Sequence, residues 1–422
     1  MKKYLFLTIL IFALLGLAAC GNNDDGGTTQ TGTGGGAPTG GTTPTTPPPA
    51  PTTTPITLRV GESLDVEQFI VEAGRHFTAL HPHITVEFVN VEVGQANSQM
   101  ALDGPAGVGP DLFVAPHDQL GALVAGGLIL PVANPSLISS RVLSSTVVAA
   151  TVNGVLQGYP LSDETYALFY NRALLASADV PRTFDDLISF SLDFNAANPG
   201  RHAFLFEVGN AYYTIIFVST PTNRLFGPEG SDPSTPNLNT PTAVAGMEFF
   251  RSLRPILDVP AGDMNTAFAD AAFVSGNAAM IVTGPWNIAP FVEAGLDFGV
   301  TTIPSLPGQT TPPPSFSGAR LMFVSSFSDH TTEAHMFAEF LTTTEMQQLR
   351  YDITQALPSI ALETGNAHHD GILAQLEYAI PMPSLAQMQQ FWQSMPAASA
   401  NIWDGADIQE QLDMVDLVIR QG

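Results

Sequence analysis

Histidines are the first residues whose spacing could support metal chemistry. His81 and His83 flank a proline, and His368, His369 and Asp370 are consecutive. Imidazole and carboxylate groups bind transition metals, but a protein site needs several of them to converge from ordered elements. The first pair is typical of a turn between a helix and a strand, and the second group is typical of a loop. We therefore expect no metal site and no cofactor.

Nucleophilic chemistry is limited by the distribution of cysteine and lysine. Cys20 is the single cysteine, and the only lysines are Lys2 and Lys3. The body of the chain therefore has no internal disulfide, no cysteine nucleophile and no lysine for a Schiff base or a phosphate-binding loop. The sequence also lacks HExxH, GxSxG and Walker patterns. We expect a protein that is not an enzyme.

Aromatic side chains with neighbouring polar groups remain as candidate ligand-binding residues. Trp286 follows a strand end and a Gly-Pro turn, which predicts a position at the mouth of a crevice, although a core position is the alternative. Pyranose rings present apolar C–H faces and polar hydroxyls, so a sugar site combines aromatic plates with hydrogen-bonding side chains. Trp403 carries no such signal, and we interpret it as a core or surface residue.

The N-terminus predicts export and lipidation. Lys2 and Lys3 precede an apolar run, residues 4–15, that is too short to anchor the chain across a bilayer. The following LAAC matches a bacterial lipobox, whose cysteine becomes the acylated N-terminus; an ordinary signal peptide with a chance cysteine is the alternative. We expect residues 1–19 to be a signal peptide and Cys20 to anchor the protein by lipid on the extracellular face of the cell membrane.

Composition divides the rest of the chain into a tether and a folded body. The segment 20–55, which begins with the lipidated cysteine, is rich in Gly, Thr and Pro and nearly free of apolar residues, so we expect a disordered tether. The chain carries 14 basic and 39 acidic residues, a net charge of −25. That balance argues against nucleic acid as a partner and favours a soluble protein, which we expect to be a monomer.

Strand-like and helix-like segments alternate from residue 56 onward. Apolar periodicity predicts a helix at 66–80 between strands at 57–60 and 84–89. This β-α-β-α order predicts an α/β fold built on parallel sheet with helices on both faces. The roughly 365 residues of the body suggest two lobes, and ligands of such sheets bind in a crevice beyond the carboxyl ends of the strands.

Four ordered blocks of the body carry recognisable motifs. They are AAFVSGNAAMIVTGPWNIAPFVEAGLDFGVTTIPSLPGQ (271–309), GPDLFVAPHDQLGALVAGGL (109–128), GYPLSDETYALFYNRALL (158–175) and MPSLAQMQQFW (382–392). These blocks resemble the solute-binding proteins of sugar ABC transporters, most closely the maltose/maltodextrin-binding branch. In the strongest block, 271–309, the family has the same order of helix, Gly, strand ending in GPW and strand reading YGVTxxP. Together the four blocks span nearly the whole body.

The resemblance implies a two-lobed fold of the type II periplasmic-binding-protein class with a cleft between the lobes. It implies one lobe at 56–162 plus 320–366 and another at 167–316 plus 371–422. Hinges are expected near Asp163–Tyr166, Gly318 and Ala367. The implied function is to capture maltodextrin-like oligosaccharides and deliver them by hinge closure to the membrane permease of an ABC importer.

The resemblance also implies which side chains bind the sugar. Aromatic rings would stack on sugar rings, and carboxylate, amide and hydroxyl groups would bind their hydroxyls. The implied residues are Glu62, Ser63, Asp118, Glu164, Asn210, Tyr212, Trp286 and Trp392. An acid near a helix start is often only a cap, and this alternative applies most to Asp118.

Some positions depart from the family pattern. Residues often Lys, Trp, Arg and a further basic residue in the family are here Leu64, Ala115, Gln119 and Pro396. The sugar therefore stays open between a longer maltodextrin, a cyclic glucan and another oligosaccharide. A secreted glycoside hydrolase using Glu164 and Asp118 is the alternative outside the transporter class, and the adjacent tyrosines 212 and 213 also occur in ferric-ion-binding proteins.

Overall fold

The structure is a computed structural model that describes residues 54–257 and 259–421. The predicted signal peptide, Cys20 and nearly all of the tether lie outside the described residues. Among the described residues, none of the helices combines the length and the hydropathy that a membrane span requires, and no cluster of three or more His, Cys, Asp or Glu is placed to hold a metal ion.

Strands and helices alternate through the described body. The strands are β1 (Ile56–Glu62), β2 (Ile84–Asn90), β3 (Leu112–Pro116), β4 (Ile129–Leu130), β5 (Thr151–Val152), β6 (Val155–Leu156), β7 (Tyr159–Thr165), β8 (Ala167–Asn171), β9 (His202–Leu205), β10 (Ala278–Thr283), β11 (Phe298–Thr301), β12 (Phe316–Ser325) and β13 (Ile380–Pro381). The helices are α1 (Glu67–Leu80), α2 (Ala96–Asp103), α3 (Leu120–Ala125), α4 (Pro135–Arg141), α5 (Ser144–Ala149), α6 (Phe184–Ala197), α7 (Ala211–Val218), α8 (Pro241–Ser252), α9 (Thr266–Val274), α10 (Ile288–Glu293), α11 (Thr331–Leu341), α12 (Thr344–Thr354), α13 (Ala367–Leu376), α14 (Met388–Trp403) and α15 (Ile408–Gln421).

The main sheets are mixed, which corrects the expectation of parallel sheet. In the first sheet, of order β13-β12-β3-β1-β2, β1 runs parallel to β2 and β3, but β12 is antiparallel to β3, β4 and β7. In the second, of order β11-β8-β10-β9, β8 is antiparallel to β10 and β11. The expectation failed because β8 and β12 do not belong to local β-α-β units: they pair with strands distant in sequence.

Two separate hydrophobic cores accompany the two sheets. One is built on α1, β1, β3 and β12 and contains Phe69, Phe77 and Phe323, all fully buried. The other is built on β8, β10, α7, α8 and α14 and contains Phe250 and Trp403. Each sheet buries its apolar faces under its own helices, which gives a two-lobed molecule.

The chain crosses between the sheets where β7 gives way to β8. Only Tyr166 separates β7, in the first sheet, from β8, in the second. Alongside it, β12 pairs Ser317 with Thr165 and Gly318 with Glu164. The lobe boundaries and hinge positions stay predictions.

Local sequence signals predicted most elements well. The helix predicted at 66–80 is confirmed as α1, and the strands predicted at 57–60 and 84–89 are confirmed as β1 and β2. The loop expected at His368–Asp370 is wrong, because these residues lie in the first turns of α13. The side chain of Asn366 accepts a hydrogen bond from the His368 backbone N–H and so caps the helix.

Candidate binding cleft

Strand ends and the turns that follow them carry most of the predicted ligand-binding residues. Glu62 ends β1, and Glu164 lies near the end of β7. Asp118 lies in the 3₁₀ turn His117–Gln119 after β3, and Trp286 lies in the 3₁₀ turn Pro285–Asn287 after β10. These positions agree with the rule that α/β sheets bind ligands beyond their strand ends.

A cavity of about 180 Å³ lies between residues of the two lobes. Trp286 and Pro285 line it from the side of the second sheet, whereas Arg320 and Arg350 line it from the side of the first, and Glu164 comes from the crossing strand β7. An apolar plate therefore faces a cavity that also contains charged hydrogen-bonding groups, which is the combination a sugar ring needs.

Gly284 allows the Trp286 indole to adopt its position. A Cβ atom added at Gly284 would lie 2.2 Å from the indole ring, well inside van der Waals contact. The ring can therefore lie over the backbone of its own turn only because residue 284 has no side chain.

Charged groups form a buried network beneath this cavity. The Arg320 Nε donates to Glu164 Oε2 at 3.2 Å, and its Nη1 lies 3.5 Å from Glu62 Oε1. The Arg350 Nη1 lies 3.9 Å from Glu62 Oε2. Burial raises the pKa of Glu62, and the guanidinium groups of Arg350 and Arg320 oppose that rise. Burial lowers the pKa of Arg320, but Glu164, Glu62 and Asp65 outweigh it and leave this pKa above its usual range.

A second cavity of about 140 Å³ lies beside Asp118 and Trp392. The Trp392 Nε1 donates to Asp118 Oδ2 at 2.5 Å, and the Asn97 Nδ2 donates to Gln389 Oε1 at 3.2 Å. Both hydrogen bonds join residues on the side of the first sheet to α14. Burial raises the pKa of Asp118 to about 6, although the Trp392 hydrogen bond lowers it in part.

His117 holds the turn that carries Asp118. Its Nδ1 accepts from the Ala319 N–H at 3.2 Å, and its Nε2 lies 2.9 Å from the Met382 carbonyl oxygen. The imidazole must therefore be the neutral Nε2–H tautomer, and burial lowers its pKa to about 4. The arrangement attaches the turn to β12 and to the segment after β13, near the crossing between the lobes.

Tyr212 lies between the two cavities. Its ring centroid is 6.3 Å from that of Trp286 and 6.3 Å from that of Phe316, which in turn is 6.1 Å from that of Trp392. Among the described residues, the Tyr212 hydroxyl and Asp118 Oδ1 are buried without a hydrogen-bond partner. Asp118 lines the second cavity, where its Oδ1 can accept from a ligand hydroxyl, whereas Tyr212 lines neither cavity.

Asn210 and Ser63, like Glu62 and Tyr212, are predicted residues that line neither cavity. Asn210 caps α7, accepting from the Tyr212 backbone N–H at 2.9 Å and donating to Glu207 at 2.9 Å, and it lines neither cavity. Ser63 is buried behind the first cavity, where its N–H lies 3.4 Å from Glu62 Oε1. The ligand-binding roles assigned to both from sequence stay predictions.

Several cleft residues were missed by the sequence interpretation. Arg320 is the only charged residue of β12, and Arg350 is a buried cation of α12, which packs on α1. A charge at a position of strand alternation that should be buried is the signal that could have identified Arg320. Phe316, which connects the aromatic rings of Tyr212 and Trp392, gave no such signal.

The greater part of the sequence matches one protein family. Residues 72–362 match the family described as bacterial extracellular solute-binding protein. The chain belongs to this family. This match confirms the expected family, and the solved structures described next confirm the expected two-lobed fold.

Named relatives and solved structures of this solute-binding family are similar along most of their length. A galactooligosaccharide-binding protein of Bacillus subtilis is 28% identical over 370 residues, covering 84% of this chain and 87% of that protein. A maltooligosaccharide ABC transporter solute-binding lipoprotein of Streptococcus pneumoniae is 28% identical over 70% of this chain and 71% of its own. The structure of a cyclo/maltodextrin-binding protein complexed with maltotetraose superposes with a TM-score of 0.72 at 27% identity, covering 88% of this chain and 98% of that one. The Thermus thermophilus maltotriose-binding protein, at 22% identity and a TM-score of 0.78 over 86% and 99%, has the same fold.

Proposed function

We propose that this solute-binding protein captures maltodextrin-like oligosaccharides in the cleft between its lobes and delivers them to an ABC importer. The observation that carries the proposal is the series of aromatic rings from Trp286 through Tyr212 to Trp392, with carboxylates Glu164 and Asp118 beside it. Flat apolar rings interspersed with hydrogen-bond acceptors match the alternating faces and hydroxyls of a linear oligosaccharide.

Relatives support the ligand class but differ in its details. Those named above bind maltooligosaccharides, cyclo/maltodextrins or galactooligosaccharides, according to their names. All of these are oligomers of neutral hexoses. Departures from the family pattern at Leu64, Ala115, Gln119 and Pro396 leave the linkage and chain length to be measured, with galactooligosaccharide as the second candidate ligand.

Hinge closure is the proposed mechanism of capture. Residues from both lobes line the first cavity, so a sugar in it contacts both lobes at once only when they are close together. Binding then shifts the population toward the closed form, and the closed form docks on the permease. The proposed lobes are 56–162 plus 320–366 and 167–316 plus 371–422, with hinges near Asp163–Tyr166, Gly318 and Ala367.

A hydrolase would use the same kinds of residues, so the two classes need a direct test. Incubation of the protein with maltodextrins, followed by a reducing-sugar assay, distinguishes them. We expect no release above that of heat-inactivated protein. Steady release that depends on the protein and is lost in Glu164→Gln would show glycoside hydrolysis instead.

Lipid anchoring at Cys20 completes the proposal. The lipobox sequence supports it, as does the name of the pneumococcal relative, a lipoprotein. In the full chain expressed in a Gram-positive host, Cys20→Ala should move the protein from the membrane fraction to the medium. Retention of the variant in the membrane fraction would contradict the anchor and leave the binding proposal intact.

A further inference from the structure

The Arg320 guanidinium binds two carboxylates and still has hydrogen-bond donors that a ligand can use. Its Nε and Nη1 bind the carboxylates of Glu164 and Glu62, which belong to two different strands. The side chain is only 13% exposed, yet it lines the same cavity as Trp286. Its Nη2 makes no hydrogen bond to any described residue, so two carboxylates fix the guanidinium while donors remain for a ligand.

The buried position of this network argues for a binding role. Burying ion pairs removes charges from water, and apolar replacements of similar size are often as stable or more stable. Glu62 is fully buried, and Arg350 is 2% exposed and lies over the Phe69 ring at 5.4 Å. A buried network that adds little stability but presents guanidinium donors to a cavity is more easily explained by recognition of a ligand.

The network also supplies a cation that the local sequence lacks. Leu64 stands two residues after Glu62, and its side chain is 60% exposed. Arg320 from β12 and Arg350 from α12 approach the Glu62 carboxylate from distant parts of the chain instead. Residues distant in sequence therefore provide the positive charge beside Glu62. The planar guanidinium of an arginine holds its donors in a fixed geometry, unlike the ammonium group on the flexible side chain of a lysine.

We propose that Arg320 is a ligand-binding and specificity-determining residue that donates hydrogen bonds to hydroxyls of the sugar ring stacked on Trp286. The inference rests on the proposed oligosaccharide function and adds to it a binding residue and the net charge of the sugars that the cleft accepts. Glu62 and Glu164 fix the guanidinium plane, so little conformational entropy is lost when the sugar binds.

The charges around the cavity determine which sugars this residue accepts. Arg320 and Arg350 face four carboxylates, Asp65, Glu164 and Glu293 in the cavity wall and Glu62 beneath it. The local balance is negative, so an anionic sugar meets repulsion that the two arginines do not offset. The ligand class is a neutral oligosaccharide, and uronic-acid oligomers are excluded.

Calorimetric titration of Arg320 variants with maltotetraose and with trigalacturonic acid tests the proposal. We expect Arg320→Gln to weaken maltotetraose binding by about 10- to 100-fold, as for the loss of a hydrogen bond from a charged donor. Arg320→Lys should lose part of the affinity, because an ammonium cannot hold both carboxylates and the sugar. The parent should not bind trigalacturonic acid. Arg172→Gln is the control, since Arg172 also pairs with a carboxylate, Asp297, but lines neither cavity.

The outcomes separate this inference from the proposed function. If the parent binds maltotetraose and both Arg320 variants, with cooperative melting, bind it within about twofold of the parent, Arg320 is not a ligand-binding residue. If Arg320→Gln fails to fold, Arg320→Lys alone decides by the same criterion. Tight binding of trigalacturonic acid by the parent would contradict the inference that the cleft accepts only neutral sugars. Failure of the parent to bind any neutral oligosaccharide would overturn the proposed function and this inference with it.

Discussion

At the scale of single residues, the cleft combines aromatic plates with polar groups that lack protein partners. Trp286 and Trp392 line separate cavities, and Tyr212 and Phe316 connect them. The family motifs predicted Trp286, Trp392, Asp118 and Glu164, because those residues lie within contiguous, recognisable blocks. Arg320 was not predicted, because its role depends on partners 156 and 258 residues away.

Trp286 and Trp392 should be the main stacking surfaces for the sugar. Replacement of either by Ala should cost about 2 to 4 kcal/mol of binding free energy, because buried aromatic anchors dominate interfaces. This corresponds to about 30- to 1000-fold in affinity, measured by calorimetry. Trp392→Phe separates the two contributions of that residue: it keeps an aromatic plate and removes the hydrogen bond to Asp118.

Trp403 provides the matched control for this experiment. Its ring is fully buried against Phe250 at 5.0 Å, and its Nε1 donates to the Val259 carbonyl at 3.0 Å. Trp403→Phe should lower the melting temperature and leave the affinity nearly unchanged. Parent-like binding by folded Trp286→Ala and Trp392→Ala would show that the sugar binds elsewhere.

Asp118 should couple sugar binding to proton release. Its buried carboxyl has a pKa of about 6, and sugar hydroxyls that donate to it favour the ionised form. Binding near pH 6 should therefore release protons, and affinity should increase as the pH rises from about 5 to about 7. Titration in buffers of different ionisation enthalpy measures this release.

Two variants test the source of the protons. Asp118→Asn should abolish most of the release. Asp270→Asn should preserve it, because Asp270 also has a pKa of about 6 but lines neither cavity. Undiminished proton release in Asp118→Asn would assign the titration to another group.

At the scale of elements, local sequence patterns predicted where helices and strands lie along the chain better than they predicted which strands pair. The amphipathic helix α1 and strand β2 were predicted because their apolar patterns are local. The antiparallel pairing of β12 was not, because it depends on contacts with strands about 200 residues earlier in sequence. The start of α13 was missed because the Asn366 cap is a weak signal among loop-like residues.

The turn between β10 and α10 should require glycine at position 284. A Cβ atom there would lie 2.2 to 2.7 Å from three atoms of the Trp286 ring, which cannot yield without moving from the cavity wall. We expect Gly284→Ala to weaken binding about as much as Trp286→Ala. Gly262→Ala, whose Cβ meets nothing within 4 Å, should bind like the parent. If folded Gly284→Ala bound sugar as tightly as folded Gly262→Ala, the position of the Trp286 indole would not matter for binding.

At the scale of the whole molecule, two cores joined by few crossing strands favour relative motion of the lobes. Only Tyr166 lies between β7 and β8, and the segment of β12 that pairs with the end of β7 runs beside it. A sheet lies on either side of this crossing. Saturating sugar should therefore compact the protein, which small-angle scattering measures as a decrease in the radius of gyration. The double variant Trp286→Ala/Trp392→Ala should show no decrease at the same sugar concentration. An unchanged radius in the parent with a confirmed ligand would contradict hinge closure.

Calorimetric titration of the parent with neutral oligosaccharides tests directly whether the cleft binds sugar. The series would include maltose, maltotriose, maltotetraose, a cyclodextrin and a galactooligosaccharide. We expect saturable binding of at least one of the longer oligosaccharides at one site per chain, with a negative heat-capacity change from burial of apolar ring faces. No saturable binding of any member by folded protein would contradict the assignment of the cleft to oligosaccharides.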